Sequence, residues 1–476
     1  MFRRDFLRLT GLSAATMALA GCRTATDSAR PVQTNAKRLN LLFLMADQHR
    51  GDFMHCAGHP LVQTPSLDRL ASQGVRFERA YTSWPICVPA RMSIITGRYP
   101  HSHGAMGDKP VLLQPTIADQ FKALGYQTAA IGKMHFLDTN QHHGFDYRIE
   151  HEDFDQAIGE VRRSHKVSSR DGKAFGVATW PEEKTYEHFI ADKAIVWLEK
   201  NGTQPFIMWC SFSAPHPPYL SPEKLFNLYA DKVMLPPQPP VPNPLLKTDE
   251  HLGKLTDADV KTILACYLAN ITLTDMNLGR VLKALDRLRL GTNTVVCYTA
   301  DHGDMQWQFQ RFGKGVMYDG ATRIPLILRA PPRVPVGMVR REIVEHVDLY
   351  PTFCELLDVP VPPTVQGRSL LPLIAGQAAD WPNTAFIEQN RQVTIVNDRF
   401  KCSFVQDQPC ALYDLQIDPQ EWTNLVGTDG SYAIIADMKK LLAGWRARTP
   451  AAPMRSDKTM KSERNAKRST QKDRKP

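Results

Sequence analysis

Long apolar runs are what this 476-residue sequence has least of. A membrane-spanning helix needs about 20 consecutive apolar residues. The nearest candidate, residues 12–20, falls far short, so no spanning helix is expected. No CxxC pair and no Cys/His zinc spacing occurs among the nine cysteines, which removes the common structural zinc sites. No internal repeat is visible, so solenoid and propeller architectures drop out. Basic charge is also scarce where it would matter. The formal charge is +9, but residues 1–38 carry +5 and residues 451–476 carry +6, which leaves about −2 for residues 39–450. A nucleic-acid partner would have to be read from the two ends alone, and none is expected.

The ends have their own signals. Arg3-Arg4-Asp5-Phe6-Leu7-Arg8 resembles a twin-arginine signal, and Leu19-Ala20-Gly21-Cys22 resembles a bacterial lipobox. Residues 1–22 are therefore expected to be an export signal, with Cys22 lipidated as the first mature residue. The plainer alternative is a cleaved signal with an incidental cysteine. The twin-arginine route moves folded proteins, so the expectation is a lipid-anchored protein facing the periplasm or cell surface. Residues 23–38 read as a linker. Residues 451–476 lack apolar periodicity and read as a disordered basic tail. That tail is either simply solvated or holds an anionic polymer or lipid headgroup.

What lies between is long enough for more than one domain. Leu39–Met45 is a nearly continuous apolar run, the pattern of a strand buried on both faces. Gln127–Ile131, Phe206–Phe212, Thr294–Thr299 and Ile324–Leu328 read as further strands. Thr185–Asn201 and Asp257–Arg289 have helical apolar spacing, and Thr64-Pro65 predicts a helix start with a capping threonine. Alternating strands and helices predict an α/β fold, a large and mostly parallel sheet sandwiched by helices. Asp47 and Asp301 each fall just past an apolar strand. In open α/β sheets ligands bind at the carboxyl ends of strands, so these two carboxylates are expected to converge. Cys87 is expected at the start of a helix from Val88 to Ile95 that ends near Gly97. A helix N-terminus favours anions. Arg91 lies one turn further on and can reach back to the same end.

The motifs carry more. Cys87-Val88-Pro89-Ala90-Arg91 fits the C-x-P-[S/A]-R pattern at which sulfatases convert a cysteine to formylglycine. Upstream is Leu41–Gln48; downstream are Thr96–His101, Gly132-Lys133-Met134-His135, Ala214–Pro218, Thr299–Asp304 and Gly313-Lys314-Gly315. Tyr413-Asp414-Leu415, Asp418-Pro419 and Glu421–Leu425 follow. In content and order this resembles the type I sulfatases of the alkaline phosphatase superfamily. The resemblance implies a catalytic domain over residues 39–380. It also implies a small C-terminal α+β subdomain over 381–450, with an antiparallel sheet and a helix near Tyr432–Arg448.

It also implies a site. Cys87, converted by a separate maturation enzyme, supplies a formylglycine hydrate as nucleophile. Attack on sulfur expels the alcohol, and elimination from the second hydroxyl restores the aldehyde. Arg91 stands beside that residue, and His135 is the base for elimination. An i, i+2 spacing on extended chain would put Lys133 and His135 on one face. Lys133 and Lys314 bind sulfate oxygens. His216 contacts the sulfate and serves the leaving oxygen. The metal is held by Asp47, Gln48, the modified Cys87 side chain, Asp301 and His302. Calcium is the implied ion. Two departures leave magnesium or manganese open. Gln48 stands where most of the family has a second acid. His302 stands where Asn is more common, and nitrogen suits calcium poorly.

Other residues are read more blandly. Cys210, Cys266, Cys297 and Cys354 are expected as buried apolar residues, and Cys56 as a loop residue with no assigned role. Cys402 and Cys410 are candidates for a hairpin disulfide in an exported protein. His49, His55, Trp84, His103, Asp304, Trp307, Arg311 and Tyr219 fall near motifs as candidate pocket residues. The leading functional expectation is hydrolysis of sulfate esters, with a sulfated carbohydrate as substrate. A tethered enzyme would suit polysaccharide degradation. The alternatives are a formylglycine-dependent phosphodiesterase or phosphonate monoester hydrolase, and a lipoprotein that binds sulfated glycans without turnover.

Overall fold

The computed structural model describes residues 38–451, apart from 107–114, 137–140, 151–152, 155–173, 242, 244 and 247–253. The expected signal, Cys22, the linker up to residue 37 and the tail from 452 lie outside the described residues.

The central sheet is built around β1 (Asn40–Asp47), every residue of which is buried. Its flanking strands are β8 (Thr294–Ala300) and β6 (Phe206–Pro215), both parallel to it. Beyond β6 come β3 (Gln127–Gly132) and β4 (Tyr147–Ile149), again parallel. Beyond β8 come β10 (Leu326–Arg329), β2 (Val75–Tyr81) and β11 (Met338–Glu345), with the short β9 (Arg323–Ile324) paired to β2. β10 runs antiparallel to both its neighbours. The sheet is thus mixed and mostly parallel. The predicted strand Ile324–Leu328 is two strands, because Pro325 has no N–H to give to a ladder.

Burial on both faces explains the apolar run in β1. Leu41, Phe43 and Met45 enter one core with α2 (Cys87–Thr96), α3 (Ile117–Ala123) and α6 (Leu349–Leu356). Leu42, Leu44 and Ala46 enter the other with α1 (Pro65–Ser72), α4 (Tyr186–Asn201) and α5 (Asp257–Arg287). Successive strand residues point to opposite faces, so such a strand must be apolar throughout.

The start of α1 departs from expectation. The Thr64 hydroxyl does not cap the helix; it accepts the His55 N–H and donates to Asp68. The free N–H groups of Ser66 and Leu67 go instead to the Asp275 carboxylate on α5, at 3.0 and 2.8 Å. A buried carboxylate from another helix thus does the capping. Burial raises its pKa to about 6.

A second sheet is antiparallel, in the order β12 (Ala385–Gln389), β13 (Gln392–Val396), β14 (Phe400–Val405), β15 (Gln408–Asp414). Helix α7 (Ser431–Arg448) packs on it through Ile435, Met438, Leu442 and Trp445. Trp445 stacks on Phe386 at 4.8 Å and meets Tyr99 edge-on at 5.0 Å. One aromatic thus joins this sheet to the segment just after α2. The disulfide expected between Cys402 and Cys410 is not formed; both are free thiols. Cys402 faces Leu412, and Cys410 lies at the register shift beside Ser403, whose carbonyl accepts its S–H. Residues two positions off register stand roughly 7–8 Å apart, beyond the usual span of a disulfide.

Candidate active site

Parallel neighbours end on the same edge of a sheet, and here that edge holds the chemistry. Ala46 of β1 pairs with Ala300 of β8, so Asp47 and Asp301 emerge side by side. Asp47 pairs with Pro215 of β6 across a bulge, which brings in His216. Gly132 ends β3, and the Lys133 N–H donates to Ser211 at 2.8 Å. Gly132 has φ +95°, and a Cβ there would stand 2.1 Å from the Ser211 carbonyl oxygen. Only glycine allows the chain to turn Lys133 into the site at this point.

Cys87 is the first residue of α2, behind the extended Ile86, and is buried. Its Sγ lies 3.1 Å from Lys314 Nζ, 3.2 Å from His302 Nε2 and 3.7 Å from Asp47 Oδ1. Cys87 is a free thiol here, and its Sγ marks where hydroxyl oxygens would sit if the side chain were converted to a hydrated aldehyde. Helix α2 ends at Gly97, as expected, in a left-handed conformation.

Arg91 is fully buried and braces the two carboxylates together. Its Nε donates to Asp301 at 2.8 Å and its Nη2 to Asp47 at 3.0 Å. Nη1 donates to the Lys133 carbonyl at 2.5 Å and to Ser211 at 3.0 Å. Lys133 Nζ is 2.7 Å from Asp47. Burial alone would raise the Asp47 pKa, but Lys133, His216, Lys314 and Arg91 overcome it and hold the carboxyl well below its usual range. Burial likewise opposes the Lys314 charge, and Asp47, Cys87 and Asp301 outweigh it, so its pKa is raised.

Asp47, Cys87, Asp301 and His302 each offer a ligand atom, all within 4.8 Å of one another. His302 Nδ1 is 3.0 Å from the Gly303 carbonyl; donation there leaves the Nε2 lone pair facing the other three. Gln48 Oε1 is buried and has no hydrogen-bond partner, while its amide nitrogen donates to Asp304. Gln48 also holds a left-handed backbone, φ +68°, unusual for a side chain of its size. Two carboxylates and an open imidazole with convergent ligand atoms fit a divalent cation, and the unpartnered Gln48 Oε1, on the residue after Asp47, is a further candidate oxygen. Arg91, Lys133 and Lys314 already place three positive charges against the two of Asp47 and Asp301. The site therefore attracts anions even before a cation adds to it.

His135 departs from the expected extended backbone, and His216 faces Asp47. His216 Nδ1 lies 2.6 Å from the Pro217 carbonyl, and Nε2 points toward Asp47 at 3.9 Å. Burial lowers its pKa to about 4, so the free site holds it neutral. His135 has φ +46°, so the segment after Lys133 is not extended and the shared-face argument fails. Its ring is exposed and hydrogen-bonds to none of the described residues. Partial desolvation and Lys133 hold its pKa below the usual value.

Most of the other motif-adjacent residues are held by hydrogen bonds or packing. His49 lies between the Tyr298 hydroxyl and the Phe53 carbonyl. His103 bonds Ser93 and the Ala105 N–H. His55 pairs with Asp68, and Trp84 is buried. Trp307 packs on Phe312, and its N–H donates to the Arg311 carbonyl. Asp304 is buried and takes the Gln48 amide, the Tyr219 hydroxyl at 2.7 Å and two backbone N–H groups. Three positioning groups had no sequence signal. Glu187 on α4 accepts the Ala214 N–H at 2.8 Å, just before His216. The Tyr267 hydroxyl donates to the Gln48 carbonyl at 2.6 Å. Thr82 donates to the Asp301 carbonyl at 2.7 Å.

Comparison with known proteins agrees with this geometry. A sulfatase family profile matches residues 39–359, and an N-sulphoglucosamine sulphohydrolase C-terminal profile matches 306–448. An arylsulfatase of Clostridium perfringens is 28% identical over 451 residues, covering 85% of this chain and 93% of the relative. An N-acetylglucosamine-6-O-sulfatase of Bacteroides thetaiotaomicron is 27% identical, covering 87% and 86%. The crystal structure of a phosphonate monoester hydrolase of Agrobacterium radiobacter superposes with a TM-score of 0.76 at 25% identity, covering 87% and 96%. The chain belongs to the sulfatase family, sulfuric ester hydrolases built on an alkaline phosphatase-like fold.

Proposed function

We propose that this protein hydrolyses sulfate esters of a sulfated carbohydrate, with Cys87, once converted to formylglycine by a maturation enzyme, as the reacting residue. The observation that carries this is the position of Cys87 Sγ at a helix N-terminus, within 3.7 Å of Lys314, His302 and Asp47. When bound, a divalent cation supplies charge neutralisation and the hydrated aldehyde supplies the nucleophile. Asp47, Gln48, Asp301 and His302 would hold that cation. Calcium is the first candidate, and magnesium and manganese are the others.

The remaining chemistry belongs to the chain. Lys133 and Lys314 hold the anionic oxygens of the ester and take up charge that builds there in the transition state. Arg91 keeps Asp47 and Asp301 ionised and fixed. His216, neutral in the free site, gains a proton as an anionic ester arrives and can pass it to the leaving oxygen. His135, at the open mouth, takes the role of the base. The N-acetylglucosamine-6-O-sulfatase relative supports a sugar substrate. We further propose export by the twin-arginine route and anchoring through Cys22, on the strength of the N-terminal motifs.

A second reading has a specific basis. A phosphonate monoester hydrolase is among the similar structures, and Gln48 and His302 depart from the commoner sulfatase pair. The test is a parallel assay of protein matured in the cell. Sulfated monosaccharides and 4-methylumbelliferyl sulfate are set against a phosphate diester and the p-nitrophenyl monoester of phenylphosphonate. Faster turnover of the sulfates upholds the first reading. Faster turnover of the phosphorus esters replaces it with the second.

A further inference from the structure

The segment that carries Lys314 has a second side. Gly315, Val316 and Met317 continue from it and line a cavity of about 370 Å³ between this segment and the C-terminal sheet. Consecutive Cα atoms are about 3.8 Å apart, so the cavity begins one residue from the side chain that meets Cys87. The facing wall is the turn between β12 and β13, which includes Arg391. The two walls are tied together: Gln389 Nε2 donates to the Gly315 carbonyl at 2.6 Å. The same Gly315 donates its N–H to Pro85, two residues before Cys87, at 3.0 Å.

The lining is amphipathic, with aliphatic side chains from the Lys314 segment and amides from the hairpin. Sugar rings, with apolar faces and polar edges, suit such a surface. Arg391 is exposed and has no ion-pair partner among the described residues. The nearby turn carboxylate, Asp407, is taken by Arg446 at 2.6 Å. A guanidinium on a cavity wall with no ion-pair partner among the described residues is a ready fork for a sulfate.

We propose that this cavity is a subsite for a second sulfated sugar of the substrate, with Arg391 holding that sugar's sulfate. The inference rests on the sulfated-carbohydrate reading above and narrows it to polysulfated chains. A monosulfated sugar would fill only the Cys87 site.

Cys410 also lines the cavity, is partly exposed and is a free thiol, so it reports occupancy. The experiment uses Cys87→Ala protein, which binds without turnover. Iodoacetamide labelling of Cys410 is followed by peptide mass spectrometry, with a heparin tetrasaccharide, its fully desulfated counterpart, or N-acetylglucosamine 6-sulfate present. Only the sulfated tetrasaccharide is expected to slow labelling, and Arg391→Ala on the same background removes the protection. Fluorescence anisotropy of a labelled tetrasaccharide gives a second reading, with affinity falling about tenfold in the Arg391→Ala protein, as for loss of one charge-assisted pair. Equal protection by the desulfated sugar, or equal affinity without Arg391, overturns the subsite. Sulfate release by the mature enzyme is scored separately. Release without Arg391-dependent binding overturns the subsite alone. Arg391-dependent binding without release upholds the subsite and overturns the hydrolase.

Discussion

Lys314 Nζ and Cys87 Sγ lie 3.1 Å apart although 227 residues separate them in the chain. Lys314 lies in the loop that follows β8 beyond Asp301 and His302, and Cys87 opens a helix reached from β2. Their meeting places a partly buried cation against the residue proposed to react.

Replacing Lys314 by Ala removes one holder of the anionic oxygens. The expected loss is about 10²–10³-fold in kcat/KM, the range for deleting one transition-state donor. The melting temperature should barely change, because the side chain is partly exposed at 21%. Steady-state kinetics with a calorimetric melt checks both. Unchanged kinetics would remove Lys314 from the mechanism.

Much of this site was legible because strand ends are legible. Apolar runs buried on both faces gave β1 and β8, and residues just past them had to lie on the ligand-binding edge. Cys87 and Arg91 came from the motif that resembles the sulfatases, and helix spacing added only that Arg91 can reach back to the same end. Asp304, Glu187 and Tyr267 were not legible in their roles. Each acts through a hydrogen bond to a distant backbone or amide group, and no local pattern encodes that. The face shared by Lys133 and His135 failed for a related reason. The left-handed residue is His135 itself, and nothing at that position announces the break in the period-2 rule. Thr64 lost its capping role to Asp275, a competition that only tertiary packing decides.

Arg91→Met should unsettle the fold as well as the chemistry. It leaves Asp47 and Asp301 buried at 3.0 and 2.8 Å from a missing partner. Breaking a buried pair on one side costs about 3–5 kcal/mol. The loss should be read by denaturant unfolding, and saturating divalent cation should restore part of it through binding to the folded state. A variant as stable as wild type without added cation would contradict the brace.

Lys401 should behave similarly far from the reacting residue. It is buried between Asp319 at 2.8 Å and Glu421 at 2.7 Å. The Asp319 turn backs Gly303, whose N–H donates to Ala321 at 2.9 Å. Lys401→Met is expected to cost about 3–5 kcal/mol, because two buried carboxylates lose their cation. Lys401→Met with Glu421→Gln should cost less than the two single changes added together. Strict additivity in the unfolding midpoints would argue against the triad.

Stability should fall on mild acidification. Burial, with Arg98 adding to it, holds the His103 pKa at about 3, and its Nδ1 accepts the Ala105 N–H. The folded state therefore binds its proton less readily than the unfolded chain, where the pKa is about 6.5. The contribution is fully present above pH 6.5 and drains away as pH falls toward 3, by about 1.4 kcal/mol for each pH unit between. Melts between pH 7.5 and 4.5 should show the decline, and His103→Asn should make it shallower, with His49, His216 and His346, each held to about 4 by burial, supplying the remainder. A His103→Asn protein with the wild-type slope would assign the acid sensitivity elsewhere.

The most direct test of the central claim is sulfate release from a sulfated sugar, measured by ion chromatography. Wild-type protein and Cys87→Ala protein are both produced with a maturation enzyme, and the peptide spanning Cys87 is weighed in each preparation. The account predicts formylglycine at position 87 in the wild type, steady sulfate release, and none from Cys87→Ala. Equal release by both proteins, or release from wild type whose Cys87 remains a thiol, would contradict it.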